Sequence, residues 1–165
     1  MMGLSAKVIS DTINTRRSAT AAADGGVLFR PREHQEFTLS FAFRNAGGKQ
    51  KFLDQEENLP FESSVGLAYD CQDGPLRLLP AVEAVMPYYG NPYGKVGFEV
   101  SHALGGTVLA YRAGYKTLAA SDLSPLAGLT GGLGLRVGRR LSVDLGFQPL
   151  ADLGQVYRIT LGLHW

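Results

Sequence analysis

The sequence predicts an all-β fold, namely an antiparallel transmembrane β-barrel of about ten strands. Apolar and polar residues alternate with a period of two in about ten segments, and no helical period extends beyond two turns. No uninterrupted apolar run approaches the roughly 18 residues that a membrane-spanning helix needs. Glycine makes up 21 of the 165 residues, and most of it lies inside the predicted strands. One domain over residues 1–165 is the simplest organisation for this length.

The first predicted elements are a hairpin and a strongly amphipathic strand. The hairpin pairs residues 3–10 with residues 18–30, and Pro31 ends its second strand because proline cannot donate to a ladder. Residues 36–45 form the next strand, in which one face is apolar and the other polar or small. Its apolar face consists of Phe37, Leu39, Phe41 and Phe43.

The following stretch is less regular. Residues 47–58 are polar and predict a long loop, the least structured part of the chain. Residues 64–70 alternate again and predict a strand. Residues 76–86 contain Pro80, which predicts a bulge or a strand end at that point.

Regular alternation returns in the second half. A turn over residues 88–93 leads into strands over 95–101 and 109–116, which the Gly105-Gly106 turn joins as a tight hairpin. A loop is predicted over 121–125. The most regular strands are the last three, over 129–137, 141–147 and 157–165. A strand period of roughly ten residues matches the length that crosses a bilayer when tilted about 45°.

Alternation alone leaves two readings open, because a soluble β-sandwich or a lipocalin-like binding module also alternates. Two features favour the membrane barrel. Charged residues recur on the face opposite the apolar one, as a wet lumen requires. Aromatic residues gather at strand ends, as an interfacial girdle requires. These aromatic residues are Tyr69, Tyr115, Phe147, Tyr157 and Trp165.

The last strand also matches the pattern by which bacterial assembly machinery recognises outer-membrane barrels. The pattern is a polar residue, two further hydrophobic residues and a terminal aromatic at every second position, here with Thr160 where glycine is usual. The predicted insertion signal consists of Tyr157, Arg158, Leu161, Leu163 and Trp165. We therefore expect outer-membrane lipids and the barrel-assembly machinery as partners.

Composition excludes several function classes. The formal net charge of +1 gives no footprint for nucleic acid. Cys71 is the single cysteine, and no cysteine or histidine group has zinc spacing. The three histidines, His34, His102 and His164, are far apart and outside any catalytic pattern. We expect no enzyme activity, no metal and no cofactor. Residues 1–17 lack a signal-peptide pattern, so an export signal would lie outside this chain.

The polar face supplies candidate lumen residues. They are Asp24, Arg44, Arg112, Arg136, Asp144 and Arg158. Asp144 and Arg158 are expected to pair across adjacent strands, with Arg112 and Arg136 as further partners. The glycines of 131–134 lie in a strand with no helix after them, so strand packing explains them better than phosphate binding.

The closing stretch, residues 128–165, contains three distinctive pieces, Phe147-Gln148-Pro149, Asp152-Leu153-Gly154 and Tyr157-Arg158-Ile159-Thr160-Leu161. Four further pieces precede them, namely Asp24-Gly25-Gly26-Val27-Leu28-Phe29-Arg30-Pro31, Arg44-Asn45-Ala46-Gly47, Leu59-Pro60 and Arg112-Ala113-Gly114-Tyr115. In these pieces residues 128–165 resemble the C-terminal region of the PorV/PorQ family of bacterial outer-membrane proteins, which belongs to the FadL-like (long-chain fatty-acid transporter-like) barrels, and the upstream pieces keep the family's order.

The resemblance implies a location in the bacterial outer membrane and one of two roles. One role is the transport of hydrophobic small molecules, and the other is that of an outer-membrane component of type IX secretion with secretion partners. Members of the family are roughly twice this length. The resemblance therefore implies either the C-terminal part of a larger FadL-like barrel or a reduced form that closes on fewer strands.

Overall fold

The protein is described by a computed structural model over residues 1–13, 16–52, 55–117, 125–138, 140–149 and 154–163. Nearly all of this part of the chain is β-structure. In chain order the strands are β1 Met2–Ile13, β2 Arg16–Phe29, β3 Phe37–Gly47, β4 Lys49–Phe52, β5 Gln55–Asn58, β6 Glu62–Tyr69, β7 Cys71–Asp73, β8 Leu76–Pro87, β9 Tyr93–Leu104, β10 Thr107–Lys116, β11 Leu129–Val137, β12 Leu141–Pro149 and β13 Gln155–Leu163. One 3₁₀ turn, Pro125–Gly128, precedes β11.

Ten of these strands form one antiparallel meander, in the order β1-β2-β3-β6-β8-β9-β10-β11-β12-β13. The short β7 pairs with β8 beside β6, and β4 and β5 form a separate hairpin. The all-β antiparallel fold that alternation predicted is thereby confirmed. β1 and β13 are the two edges and do not pair with each other, so the sheet is open.

The strand register defines two faces that run across the whole meander. Arg112 lies opposite Glu99 on β9 and Gly132 on β11. Gly132 lies opposite Gly146, which in turn lies opposite Arg158. Residues directly opposite each other in antiparallel strands point to the same face. We call the face that carries Arg112 the inner face and the other the outer face.

Burial is concentrated on the inner face. The buried strand residues with side chains are Ser18, Thr20, Ala22, Val85, Tyr93, Ser101 and Ala110, all of which belong to that face. One cleft on the inner face is lined by residues from β2 through to β13. The sheet therefore curves toward the inner face.

Large apolar side chains lie on the outer face and are exposed. Ile159, Leu161 and Leu163 of β13 are 70%, 72% and 71% exposed, and Leu133 and Leu145 on β11 and β12 are about half exposed. Soluble domains bury such side chains and expose polar ones. The described sheet has the opposite arrangement, with charges inside the curve and an apolar surface outside it.

The two ends of the strands differ in their connections. At one end, the turn end, β9 and β10 are joined by Gly105-Gly106, and β11 and β12 by residues 138–140. Gly105 and Gly138 have φ of 61° and 59°, which suits glycine in a tight turn. At the other end, the loop end, the connections over 48–61 and 117–128 are much longer.

The polar stretch over 47–58 differs from the predicted loop, which was wrong for most of its length. It forms the hairpin of β4 and β5, in which Lys49 lies opposite Asn58 and Lys51 opposite Glu56. The Lys49 ammonium also lies 3.3 Å from the Glu56 carboxylate. The residues that pair in this hairpin are mostly polar, so the sequence has no apolar alternation by which the hairpin could be recognised.

Pro80 lies inside a continuous strand, β8, and does not end it. On one side β8 pairs with β9 throughout, and Pro80 lies opposite Phe98. On the other side β6 pairs with β8 from Ala81 onward, whereas β7 pairs with it up to Leu78. The proline therefore falls where the neighbouring ladder is already interrupted, which is a position that tolerates a missing N–H.

Candidate functional site

A chain of ion pairs crosses the inner face on the side of the turn end. The Arg77 guanidinium donates to both carboxylate oxygens of Asp70, each at 2.7 Å, and lies 3.6 Å from Glu99. The Arg112 guanidinium then joins Glu99, at 2.6 Å, to Asp144. We call these five residues the ion-pair chain. It links side chains from the end of β6 to β12.

One glycine on β11 leaves room for the last step of the ion-pair chain. Arg112 is on β10 and Asp144 on β12, so their contact must pass over β11. A Cβ at Gly134 would lie 2.9 Å from an Asp144 carboxylate oxygen and 3.1 Å from an Arg112 guanidinium nitrogen. Glycine at this position therefore leaves the space between the two charged groups open.

The ion-pair chain is partly exposed to solvent, which limits what each pair contributes. The side chains of Arg112 and Asp144 are 41% and 38% exposed. Pairs of this kind typically contribute about 0–1 kcal/mol each. Asp70 lies in the connection between β6 and β7, where its hydrogen bonds from Arg77 hold the pKa of its carboxyl below the ordinary value. The ion-pair chain therefore adds little stability, and its main effect is to fix the positions of these side chains across the sheet.

A second charged group lies on the inner face toward the loop end, around Tyr93. The Tyr93 hydroxyl donates to Glu62 at 3.3 Å, and Arg44 lies 3.9 Å from Glu62. The Lys116 ammonium lies over the Tyr93 ring, 4.6 Å from its centroid, in cation–π geometry. Lys95 lies beside them and pairs with Glu83 at 2.8 Å. We call this group the tyrosine cluster.

Asp24 anchors a bulge between β2 and β3 near the tyrosine cluster. Asn45 has a φ of 56°, and its backbone N–H donates to the Asp24 carboxylate at 2.8 Å. Lys7 of β1 donates to both Asp24 and the Asn45 side chain. The Asn45 amide in turn donates to the carbonyl of Pro60 at 2.8 Å. These bonds tie the first three strands to the start of β6.

A cleft on the inner face is lined in part by residues of the tyrosine cluster. It has a volume of about 860 Å³, within the usual range of ligand sites. Its floor consists of small residues from neighbouring strands, namely Gly66, Ala68, Ala81, Gly97, Gly114 and Thr130. Its charged lining consists of Arg44, Glu83, Lys95, Lys116 and Arg158. The small side chains create the space, and the lining carries more cations than anions.

Aromatic pairs mark both ends of the outer face. Phe37 and Tyr69, at the turn end of β3 and β6, have ring centroids 4.9 Å apart. Phe147 and Tyr157, at the loop end of β12 and β13, have centroids 5.3 Å apart. Between the two levels lie aliphatic residues such as Leu145. Exposed aromatic residues also lie between the two levels, at Phe41, Phe98 and Tyr111, so the aromatic residues of the outer face are not confined to its ends.

The six candidate lumen residues, Asp24, Arg44, Arg112, Arg136, Asp144 and Arg158, all lie on the inner face. The expected pair of Asp144 with Arg158 is not formed. Asp144 lies opposite Thr160 in the β12–β13 register and bonds to Arg112, whereas Arg158 lies opposite Gly146 and lines the cleft. Arg136 lies opposite Ser142. The alternation along each strand correctly placed these residues on one face. Their partners depend on the register between strands, which the alternation does not give.

The candidate lumen residues left out several charged residues of the inner face, among them Lys7, Arg77, Glu83, Glu99 and Lys116. Arg77 and Glu83 were missed because Pro80 made their strand look irregular. Both occupy alternate positions of β8, in step with the polar face of β9. Their odd-numbered positions on β8 were therefore the feature of the sequence that could have identified them.

Of the predicted insertion signal, Tyr157, Leu161 and Leu163 lie on the outer face of β13 and Arg158 on the inner face. Trp165 lies outside the described residues, as do the Asp152-Leu153 part of the predicted turn and most of the loop over 121–125.

Within the described part of the chain no group of histidine, cysteine, aspartate and glutamate residues could hold a metal ion. His34 pairs with Glu36 at 3.2 Å, and His102 lies on the outer face. No helix among the described residues is both long and apolar enough to cross a membrane. In comparisons with known proteins, no family model, curated protein or solved structure matches this chain.

Proposed function

We propose that this chain forms the wall of an outer-membrane β-barrel of the PorV/PorQ type, and that the barrel passes small molecules through its lumen. The observation that carries the proposal is the exposed apolar outer face opposite a charged, curved inner face. A lipid environment accepts the former and a wet lumen the latter.

The soluble alternative, a β-sandwich or lipocalin-like module, fits this arrangement poorly. In those folds the apolar faces of the strands point inward and are covered by a second layer or by the barrel itself. Here the sheet curves the other way, and in the described residues no second layer covers the outer face. A soluble form would expose an apolar surface across ten strands, far beyond the patches that soluble monomers tolerate.

The open edges set a condition on this proposal. In hydrocarbon every backbone N–H and C=O needs a partner, so β1 and β13 cannot remain edges in the membrane. Either they pair with each other in a narrow ten-strand barrel, or further strands lie between them. Hydrogen exchange of the β1 and β13 amides in a bilayer tests this condition, because paired edges exchange as slowly as β10 and β11.

The cleft favours solute passage over a role in secretion, because it gives the inner face a ligand-sized space, although its charged lining does not suit the hydrophobic solutes that the resemblance implies. A role in type IX secretion stays a prediction of the resemblance.

Purification tests the proposal directly. We expect the chain to require detergent, to partition into vesicles and to migrate differently on SDS gels before and after boiling, as folded outer-membrane barrels do. A monodisperse monomer in the absence of detergent would contradict the membrane assignment and favour the soluble alternative.

A further inference from the structure

The charge balance of the cleft points to a class of solute. Four cationic side chains line it, Arg44, Lys95, Lys116 and Arg158, against one carboxylate, Glu83. Lys95 pairs with Glu83 at 2.8 Å, so these two charges offset each other. Arg44 lies 3.9 Å from Glu62 at the margin of the cleft.

The remaining two cations have no carboxylate partner. Lys116 lies over the Tyr93 ring, and in the described part of the chain neither Lys116 nor Arg158 forms an ion pair. The other arginines that reach the middle of the inner face, Arg77 and Arg112, are already saturated by the ion-pair chain. Among the described residues, the inner-face cations without an ion pair are therefore Lys116 and Arg158 in the lining of the cleft and Arg136 near the turn end of β11.

Neutral hydrogen-bonding groups lie between the two unpaired cations. Lys116 and Gly114 are alternate residues of β10, and Gly114 lies opposite Thr130 of β11. Thr130, Gln148 and Arg158 all line the same cleft. A guanidinium offers a planar pair of donors that suits a phosphate or carboxylate, and an ammonium adds a point charge.

We propose that the cleft is a selectivity site for small hydrophilic anions that carry a phosphate or carboxylate group, with Arg158 and Lys116 as the residues that attract them. The inference rests on the proposed barrel and names the solute class of its lumen. A charged, glycine-floored wall offers little to a purely hydrophobic solute, whereas unpaired cations raise the local concentration of anions.

The test is the ion selectivity of the full-length protein refolded into planar lipid bilayers under a KCl gradient. We expect a chloride to potassium permeability ratio on the order of ten, falling to about one in the double variant Lys116→Gln/Arg158→Gln. Arg158→Lys keeps the charge and should keep the selectivity. Arg140→Gln, in the turn between β11 and β12, is the matched control and should leave the ratio unchanged.

A second arm uses vesicles loaded by diffusion with inorganic phosphate, succinate or glycerol. Phosphate and succinate should enter faster than glycerol in the wild type and lose that advantage in the double variant. Cation preference, equal permeability, or an unchanged ratio in the double variant overturns the inference. So does a protein that inserts and shows heat-modifiable migration but conducts no ions; that result leaves the barrel assignment intact and contradicts passage of small molecules through the lumen. Failure of the wild type to insert contradicts the barrel proposal itself.

Discussion

Replacing Gly134 with alanine tests whether glycine at this position lets the ion-pair chain cross β11. The new Cβ would lie 2.9 Å from an Asp144 carboxylate oxygen, 3.1 Å from an Arg112 nitrogen and 3.2 Å from the Ala110 Cβ. The first two atoms end flexible, partly exposed side chains that can shift, so the cost lies at the lower end of the overpacking range, about 1–2 kcal/mol. Alanine recovers about 0.5–1 kcal/mol of backbone entropy relative to glycine. The expected net loss is about 0–1.5 kcal/mol of unfolding free energy.

Gly131→Ala is the matched control on the same strand. Gly131 points to the outer face, and a Cβ there would meet nothing within 4 Å. Only the entropy gain remains, so this variant should be unchanged or more stable by up to about 1 kcal/mol. Urea unfolding from detergent micelles, followed by Trp165 fluorescence and far-ultraviolet circular dichroism, measures both variants.

A double variant isolates the cause. If the Asp144 carboxylate is what the new methyl group meets, Gly134→Ala should cost less in an Asp144→Ala background than in the wild type. A Gly134→Ala protein that is at least as stable as Gly131→Ala would refute the reasoning. Equal costs in both backgrounds would exclude Asp144 as the obstacle.

Three further predictions concern the outer face, the ion-pair chain and the insertion signal. Leu145→Arg, at the centre of the outer face of β12, should lower the stability of the protein in bilayers by about 2–4 kcal/mol. Thr160→Arg, on the inner face of β13, should change the stability little. Similar losses of stability in both variants would contradict the assignment of faces. Arg112→Gln removes the bonds to Glu99 and Asp144 and should lower the free energy of urea unfolding by only about 1 kcal/mol, because the pairs are partly exposed. Arg140→Gln is the control and should leave this free energy unchanged. An Arg112→Gln variant as stable as the wild type would show that the ion-pair chain adds nothing to stability. Deletion of Trp165 in the intact gene should block insertion into the outer membrane, as measured by fractionation and protease accessibility, and normal assembly would remove the case for the insertion signal.

Alternation predicted the strands and their faces well, because strand side chains alternate and the register is regular across the meander apart from the bulge between β2 and β3. Phe37, Leu39 and Phe41 share the outer face as expected, and Arg44 lies on the inner face. This part of the fold follows from local sequence alone.

The ion pairs could not be derived in the same way. Asp144 bonds to Arg112, two strands away, because glycine at position 134 leaves room above β11. Parity places a residue on a face, but contacts depend on which residues face each other across strands and on what lies between them. The β4–β5 hairpin was missed because its paired residues are mostly polar. Arg77 was missed because Pro80 makes the sequence of β8 look irregular.

The most direct measurement of the central claim is the solvent exposure of alternate β12 positions in a bilayer. Single cysteines at Leu141, Ser142, Val143, Leu145 and Gln148, introduced into a Cys71→Ser protein, would carry spin labels, because native Cys71 is exposed. Labels at Leu141, Val143 and Leu145 should collide with oxygen, which partitions into lipid. Labels at Ser142 and Gln148 should instead collide with a water-soluble nickel chelate. Equal accessibility to the nickel chelate at all five positions would show that the outer face does not contact lipid.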